Sequence, residues 1–314
     1  MRANDTRVTV AVPVFNGERY LPELFACLEA QTFADLEIVM VDNASSDRTA
    51  ALCRSFAAAD RRARYYRNET NLGAARNFNR AFELGRGTYF KWAAHDDLFA
   101  PDYLARCVDV LDRDPSAVLC HTDTVFTGGD LRPLPYDPSS GCYLDAAGVP
   151  RVRGEPRGLV DSPDPVGRFA DVLHRVHFCI EVFGVIRAAA LARTSLHGSY
   201  YGSDKVLLAE LALLGRFARI PEPLFTKRVH ERTTLYFTTR ERDAWIDPAA
   251  HHRVPQLQVL KGYLRALGRA ELTPLRRLGC LKSVAEKFFA LDVLKRLALP
   301  RPDNYFGWRG RPTP

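Results

Sequence analysis

Asp96 and Asp97 stand side by side, directly after His95, at the end of the run Tyr89 to Ala94. Adjacent carboxylates repel unless a cation or hydrogen-bond donors compensate. One of the pair can take a divalent ion while the other accepts from a ribose hydroxyl. Two more turns carry polar groups in the same setting: Asn16, Gly17 and Glu18 follow Val8 to Val14, and Asp42 and Asn43 close Leu36 to Asp42. Each turn alone is ordinary turn or cap chemistry; three converging on one edge is ligand chemistry. No GxGxxG follows the first run and no GxxxxGK[ST] occurs, so a dinucleotide fingerprint and a phosphate-cradling loop are both missing. A diphosphate bound here lacks a glycine nest, and a metal held by carboxylates is the natural substitute.

Positioning these turns requires strands ending at one edge. VTVAVPV and LEIVMVD are continuous apolar, β-branched runs of the kind found in sheets covered on both faces. Between them Leu21, Leu24, Phe25 and Leu28 recur at helical spacing. Ser45 to Asp47 offer caps for a helix over 50–59. ARYYRN reads as a third strand, GAARNFNRAFELG as a helix, TYFKWAA as a fourth strand, a helix follows Pro101, and AVLCHT is a fifth strand. Repeated βα units imply a parallel sheet with helices on both sides, and ligands of such sheets bind at the carboxyl ends of the strands.

Residues 127–165 differ in kind, with seven prolines and six glycines in 39 residues. They read as an irregular acceptor-side loop, either a functional lid or a disordered insert. Regular patterns resume as a helix (VGRFADVLHRV), a strand (VFGVIR), a helix (DKVLLAELALLG) and an extended stretch (PEPLFTKRVH), followed by two basic amphipathic helices over 254–267 and 274–297.

The segments VPVFNGERYLPELFACLEAQTF, LEIVMVDNASSDRT and NLGAARNFNRAFELGRGTYFKWAAHDDLFAPDYL resemble glycosyltransferase family 2, inverting nucleotide-sugar enzymes of the GT-A fold. The resemblance spans about residues 7–125 and continues more loosely to His230. It implies an α/β, Rossmann-like, mostly parallel sheet with flanking helices and a C-terminal helical extension, divided into a GT-A domain over 1–240 and a basic extension over 241–314. It also implies a donor site. Pro13, Val14 and Phe15 wall the base pocket, Glu18 sits beside the nucleotide, and Asp42 accepts from the base ring N–H. Gly73 and Arg76 flank base and diphosphate, Asp96 meets the ribose, and Asp97 holds Mn²⁺ or Mg²⁺. His95 stands where the family often has Asp. The donor is a UDP-, dTDP- or GDP-linked sugar and the acceptor carries a hydroxyl.

The family's catalytic base is an acid on the acceptor side. Asp204 fits, at the start of a helix with Leu207, Leu208, Leu211 and Leu214 on its apolar face; helix capping is its alternative role. Glu181 competes for the role, and Glu210, mid-helix, is less suited. His230 completes a metal shell, contacts the diphosphate, or is merely polar filling. Arg228 and Arg232 beside it can meet diphosphate charge. His174 and His177 fall near the acceptor cleft without a motif.

Composition narrows the remaining classes. The seven cysteines are irregularly spaced with no CxxC, which suggests neither a disulfide framework nor a structural zinc. With no signal peptide or apolar span recognisable, a cytoplasmic protein is expected. The net charge of +7 sits in the tail: residues 251–314 hold 13 Lys+Arg against 4 Asp+Glu, leaving 31 against 33 elsewhere. That distribution speaks against nucleic acid as a partner of the body and raises peripheral contact of the tail with an anionic membrane. Two alternatives stand beside the transferase. A sugar nucleotidyltransferase would need a glycine-rich N-terminal signature, and a non-catalytic scaffold or membrane adaptor would be favoured by loss of Asp97 or Asp204, both of which are present.

Overall fold

The computed structural model describes residues 6–154, 160–249 and 255–289. The two apolar runs form adjacent parallel strands, β1 (Val8–Val14) and β2 (Leu36–Asp42), and every residue of both is buried. Alternation along β1 sends Val8, Val10, Val12 and Val14 into one core with α1 (Leu21–Glu29) and α2 (Thr49–Ala59), and Ala11 into the other. β3 (Ala63–Arg67) pairs parallel with β2. After α3 (Ala74–Glu83), β4 (Tyr89–Trp92) pairs parallel with β1.

The second half is less regular. β5 (Leu98–Phe99), α4 (Tyr103–Arg113) and β6 (Ala117–Thr127) precede a small antiparallel sheet of β7 (Tyr136–Asp137), β8 (Cys142–Leu144) and β9 (Pro150–Arg153). Then come α5 (Pro165–Arg175), a 3-10 turn (Ile180–Phe183), β10 (Val185–Arg187), α6 (Ala188–Leu191), α7 (Ser203–Leu214) and β11 (Arg216–Arg228). α8 (Thr239–Ile246), α9 (Pro255–Arg269) and α10 (Pro274–Phe289) follow. The main sheet runs β3-β2-β1-β4-β10-β6-β11-β5, with β10 antiparallel to both neighbours and β5 antiparallel to β11.

Segment 127–165 is therefore not irregular throughout. Its described part carries the β7–β9 sheet, which shares a small core of Phe126, Leu134, Val152 and Val229. Strands of two to four residues, broken by Pro133, Pro135 and Pro138, are too short to show a period of two. β5 escaped notice for the same reason. β11 begins earlier than the extended stretch, because a register shift between Ile220 and Phe225 accommodates Pro221 and Pro223. Tyr263 and Leu267 of α9 and Cys280 and Val284 of α10 join the core of α5 and α7. The expected extension of α10 to Leu297 lies outside the described residues.

Candidate active site

The carboxyl ends of β1 and β4 and the end of β11 border a cleft of about 910 Å³. Pro13, Val14 and Phe15 form part of its wall. Asp42 does not reach it. Its side chain is fully buried, with Oδ1 accepting from the Ser45 N–H at 2.8 Å and Oδ2 from Tyr65 Oη at 2.8 Å and Arg67 at 2.6 Å. The next residue, Asn43, lines the cleft instead. Its Oδ1 accepts from the Leu72 N–H and from Asn68 Nδ2, both at 2.9 Å, and its Nδ2 donates to Asn71 Oδ1 at 2.7 Å. Asn71 Oδ1 also accepts from the Gly73 N–H at 2.8 Å. Backbone donors thus fix both amide orientations, and of the two hydrogens on Asn43 Nδ2 one is used by Asn71.

Glu18, Gly73 and Arg76 are also outside the lining. Glu18 Oε2 accepts from the Arg48 N–H at 2.9 Å, at the start of α2. Gly73, at φ +82°, is pressed against α8: a Cβ there would lie 2.3 Å from the Ile246 carbonyl oxygen. Arg76 pairs with the buried Asp247 at 3.3 Å. Ala74, Ala75 and Asn77 present this stretch to the cleft.

The three residues after β4 separate by role. His95 and Asp96 line the cleft, whereas Asp97 lies behind it, held by Lys227 Nζ at 2.8 Å and the Arg228 N–H at 3.1 Å. Burial pushes the Asp97 carboxyl up to about 6, against the pull of Lys227. Burial would also raise Asp96, but the Lys227 charge, the His230 hydrogen bond and the His95 ring outweigh it and hold that carboxyl well below the usual range. Asp96 Oδ2 lies 3.0 Å from His230 Nε2, while His230 Nδ1 accepts from the Arg232 N–H at 3.2 Å. A neutral His230 accepting at Nδ1 carries its proton on Nε2 and donates it to Asp96. In this orientation Nε2 is directed at Asp96. Buried Arg228 meets Glu23 and the Asp96 carbonyl and lies over the Tyr20 ring, away from the cleft, while Arg232 and Lys227 line it.

No group of three acidic, His or Cys side chains able to hold a metal exists among the described residues. The donor set fits a cation that shares the ionised Asp96 with ligand oxygens, as a divalent ion bound through a carboxylate and substrate phosphates does.

Across the cleft, Asp204 lines the wall in the first turn of α7. Gly202 is the N-cap, and Asp204 Oδ1 accepts from the Lys205 N–H at 2.8 Å. Burial raises its pKa, opposed by Lys205 and the Cys179 thiol. Glu181 is outside the lining, with its Oε2 buried and without a hydrogen-bond partner among the described residues, and burial raises it too. Glu210 is structural, bonded to Ser195 and Arg269. His177 lines the cleft and His174 does not. Sequence reasoning missed His197, which lines the cleft against Trp92 and Phe78, its Nε2 buried without a partner among the described residues. It lies between elements, where no periodicity or motif marks it.

A parallel β3-β2-β1-β4 half-sheet continued by antiparallel β10, with a cleft at its carboxyl edge, is the architecture of the GT-A class of folds. The chain belongs to glycosyl transferase family 2, which matches residues 9–191. An uncharacterized glycosyltransferase of Rickettsia conorii is 30% identical over 124 residues, 40% of this chain and 19% of that protein. The chain spans only 13% to 32% of the length of the first curated relatives it matches. TarS of S. aureus, solved with UDP, superposes with a TM-score of 0.64 at 14% identity, over 94% of this chain and 75% of that one. The mannosyltransferase PcManGT of Pyrobaculum calidifontis, solved with GDP-Man and Mn²⁺, gives 0.54 at 19% identity, over 94% and 74%.

Proposed function

We propose that the protein transfers a sugar from a nucleoside-diphosphate donor to an acceptor hydroxyl, with inversion. The carrying observation is that the Asp96–His230 pair and Asp204 line one cleft. UDP and GDP-Man in the solved neighbours support a nucleotide-sugar donor. The base would lie between Phe15 and Asn43, and Asn43 would donate to it. Mn²⁺ or Mg²⁺, when bound by Asp96 and the donor phosphates, neutralises charge on the leaving diphosphate. His230 donates beside that charge, and Lys227 and Arg232 add to the field. Asp97 is a positioning residue, fixing Lys227 and the Asp96 backbone turn. Asp204 removes the acceptor proton as its oxygen attacks the anomeric carbon. The acceptor is read as membrane-borne and used at the cytoplasmic face, on the strength of the basic tail.

Lys227 supports a second reading, in which cationic side chains alone serve the diphosphate. Thermal shift with UDP, dTDP and GDP, each with and without Mn²⁺, separates the two. Stabilisation requiring both nucleotide and metal supports the first, nucleotide alone supports the second, and none with any nucleotide removes both. A donor-hydrolysis panel then identifies the sugar.

A further inference from the structure

Of ten large hydrophobic side chains exposed among the described residues, six lie on α9 and α10. On α10, Leu275 is 80% exposed, Leu278 63%, Leu281 38% and Phe289 65%. With successive residues about 100° apart, these four and the exposed Ala285 fall within one arc of about 120°. The residues buried against the body, Cys280, Ser283 and Val284, lie opposite. A helix on the surface of a globular protein ordinarily turns its polar face outward; α10 turns an apolar stripe outward, with Lys282 inside it. α9 exposes Leu257 and Leu264 beside Lys261 and Arg265.

Charge decides between occupants. Residues 255–289 carry seven Lys+Arg against two acids, and 290–314 add five against two. A second copy of this chain on the same face would set like charge against like. An anionic bilayer complements both the charge and the apolar stripe. We propose that α10, with α9 beside it, docks on an anionic lipid surface, Leu275, Leu278 and Phe289 entering the headgroup–acyl boundary and Lys282 meeting lipid phosphates. Docking stands on these residues alone; its use, to meet a lipid-linked acceptor, rests on the transferase reading.

The test is co-sedimentation of the full chain with vesicles of phosphatidylcholine alone and with about a third phosphatidylglycerol, at low and high salt. Binding is expected on the anionic vesicles only, weakened by salt. It should fall at least ~10-fold in Leu275→Ser/Leu278→Ser, and by less in Lys282→Gln, since each basic residue contributes only about fivefold. All three substituted side chains are exposed, and an unchanged thermal melt of each variant checks the fold. Absence of binding to anionic vesicles, equal binding to neutral ones, or binding unaltered in the double variant overturns the proposal. So does a concentration-dependent dimer that the double variant dissolves, which would make a second copy the occupant. A wild type that binds vesicles but shows no nucleotide-induced shift counts against the transferase reading and leaves the docking face standing.

Discussion

A general base must be free to gain a proton, whereas a cation ligand must stay ionised, and the cleft treats its two acids accordingly. Burial raises Asp204, while Lys227 and His230 keep Asp96 low. If Asp204 is the base, the rate climbs with pH through its raised pKa, so the acidic limb of kcat sits above the ordinary aspartate value of about 3.9. Asp204→Asn should lower kcat at least ~10²-fold and abolish that limb, with nucleotide affinity unchanged. Calorimetry showing donor binding lost in that variant would make Asp204 structural and return the role to Glu181. Asp96→Asn should remove metal-dependent nucleotide binding and also lower stability at neutral pH, because Lys227 and His230 favour the ionised carboxylate in the folded protein. Asp97→Asn takes one of two acids from the cleft-lining Lys227 and leaves it Asp96, and a loss of only about 1–3 kcal/mol is expected; a full-stability, metal-blind Asp97→Asn protein would restore the sequence-based assignment. Asn43→Asp replaces the Nδ2 donor with an acceptor, so the ratio of CDP to UDP affinity should move toward UDP, the base with a ring N–H at N3. An unmoved ratio means that Asn43 does not touch the base.

Between elements, the start of α3 and the end of α8 approach closely at Gly73. Gly73→Ala puts a methyl on the Ile246 carbonyl and a side chain at positive φ. The variant should lose about 1–3 kcal/mol and, because Trp245 and Ile246 line the cleft, nucleotide affinity with it. Normal affinity in a destabilised variant would separate α8 from the site. This contact also marks the limit of sequence reading. β1 to β4 were legible because fully buried strands and amphipathic helices write their periods into the chain. α8 is polar on most of its surface and short, so the partner of Gly73 was invisible and the glycine passed for a ligand contact. Asp42 was misplaced for a related reason. Its role depended on which of two neighbouring residues at the end of β2 turns inward, and the answer lay with Tyr65 and Arg67 of β3. Asp96, Asp204 and His230, which the family resemblance singles out, line one cleft, and the separate roles proposed for them come from the ion pairs and hydrogen bonds around them.

At the scale of the whole molecule, β10 is three residues long yet joins the two halves of the sheet, lying between β4 and β6. Residues 8–92 complete β3-β2-β1-β4 by themselves, but the edge of β4 stays unpaired until Val185 to Arg187 arrive, nearly a hundred residues later. Lys227, Arg228 and His230, which organise Asp96 and Asp97, come later still. Such long separations slow assembly, and an open strand edge invites pairing with other chains. During synthesis the growing polypeptide would expose a nearly finished sheet with a sticky margin and an unbalanced acidic turn. Pulsed hydrogen exchange during refolding should show amides of β1 and β2 protected before those of β6 and β11. Simultaneous protection would mean that the two halves fold as one unit and that the margin is never bare. Where the order holds, crowding and chaperone supply would govern the yield of active protein more than the stability of the finished fold does.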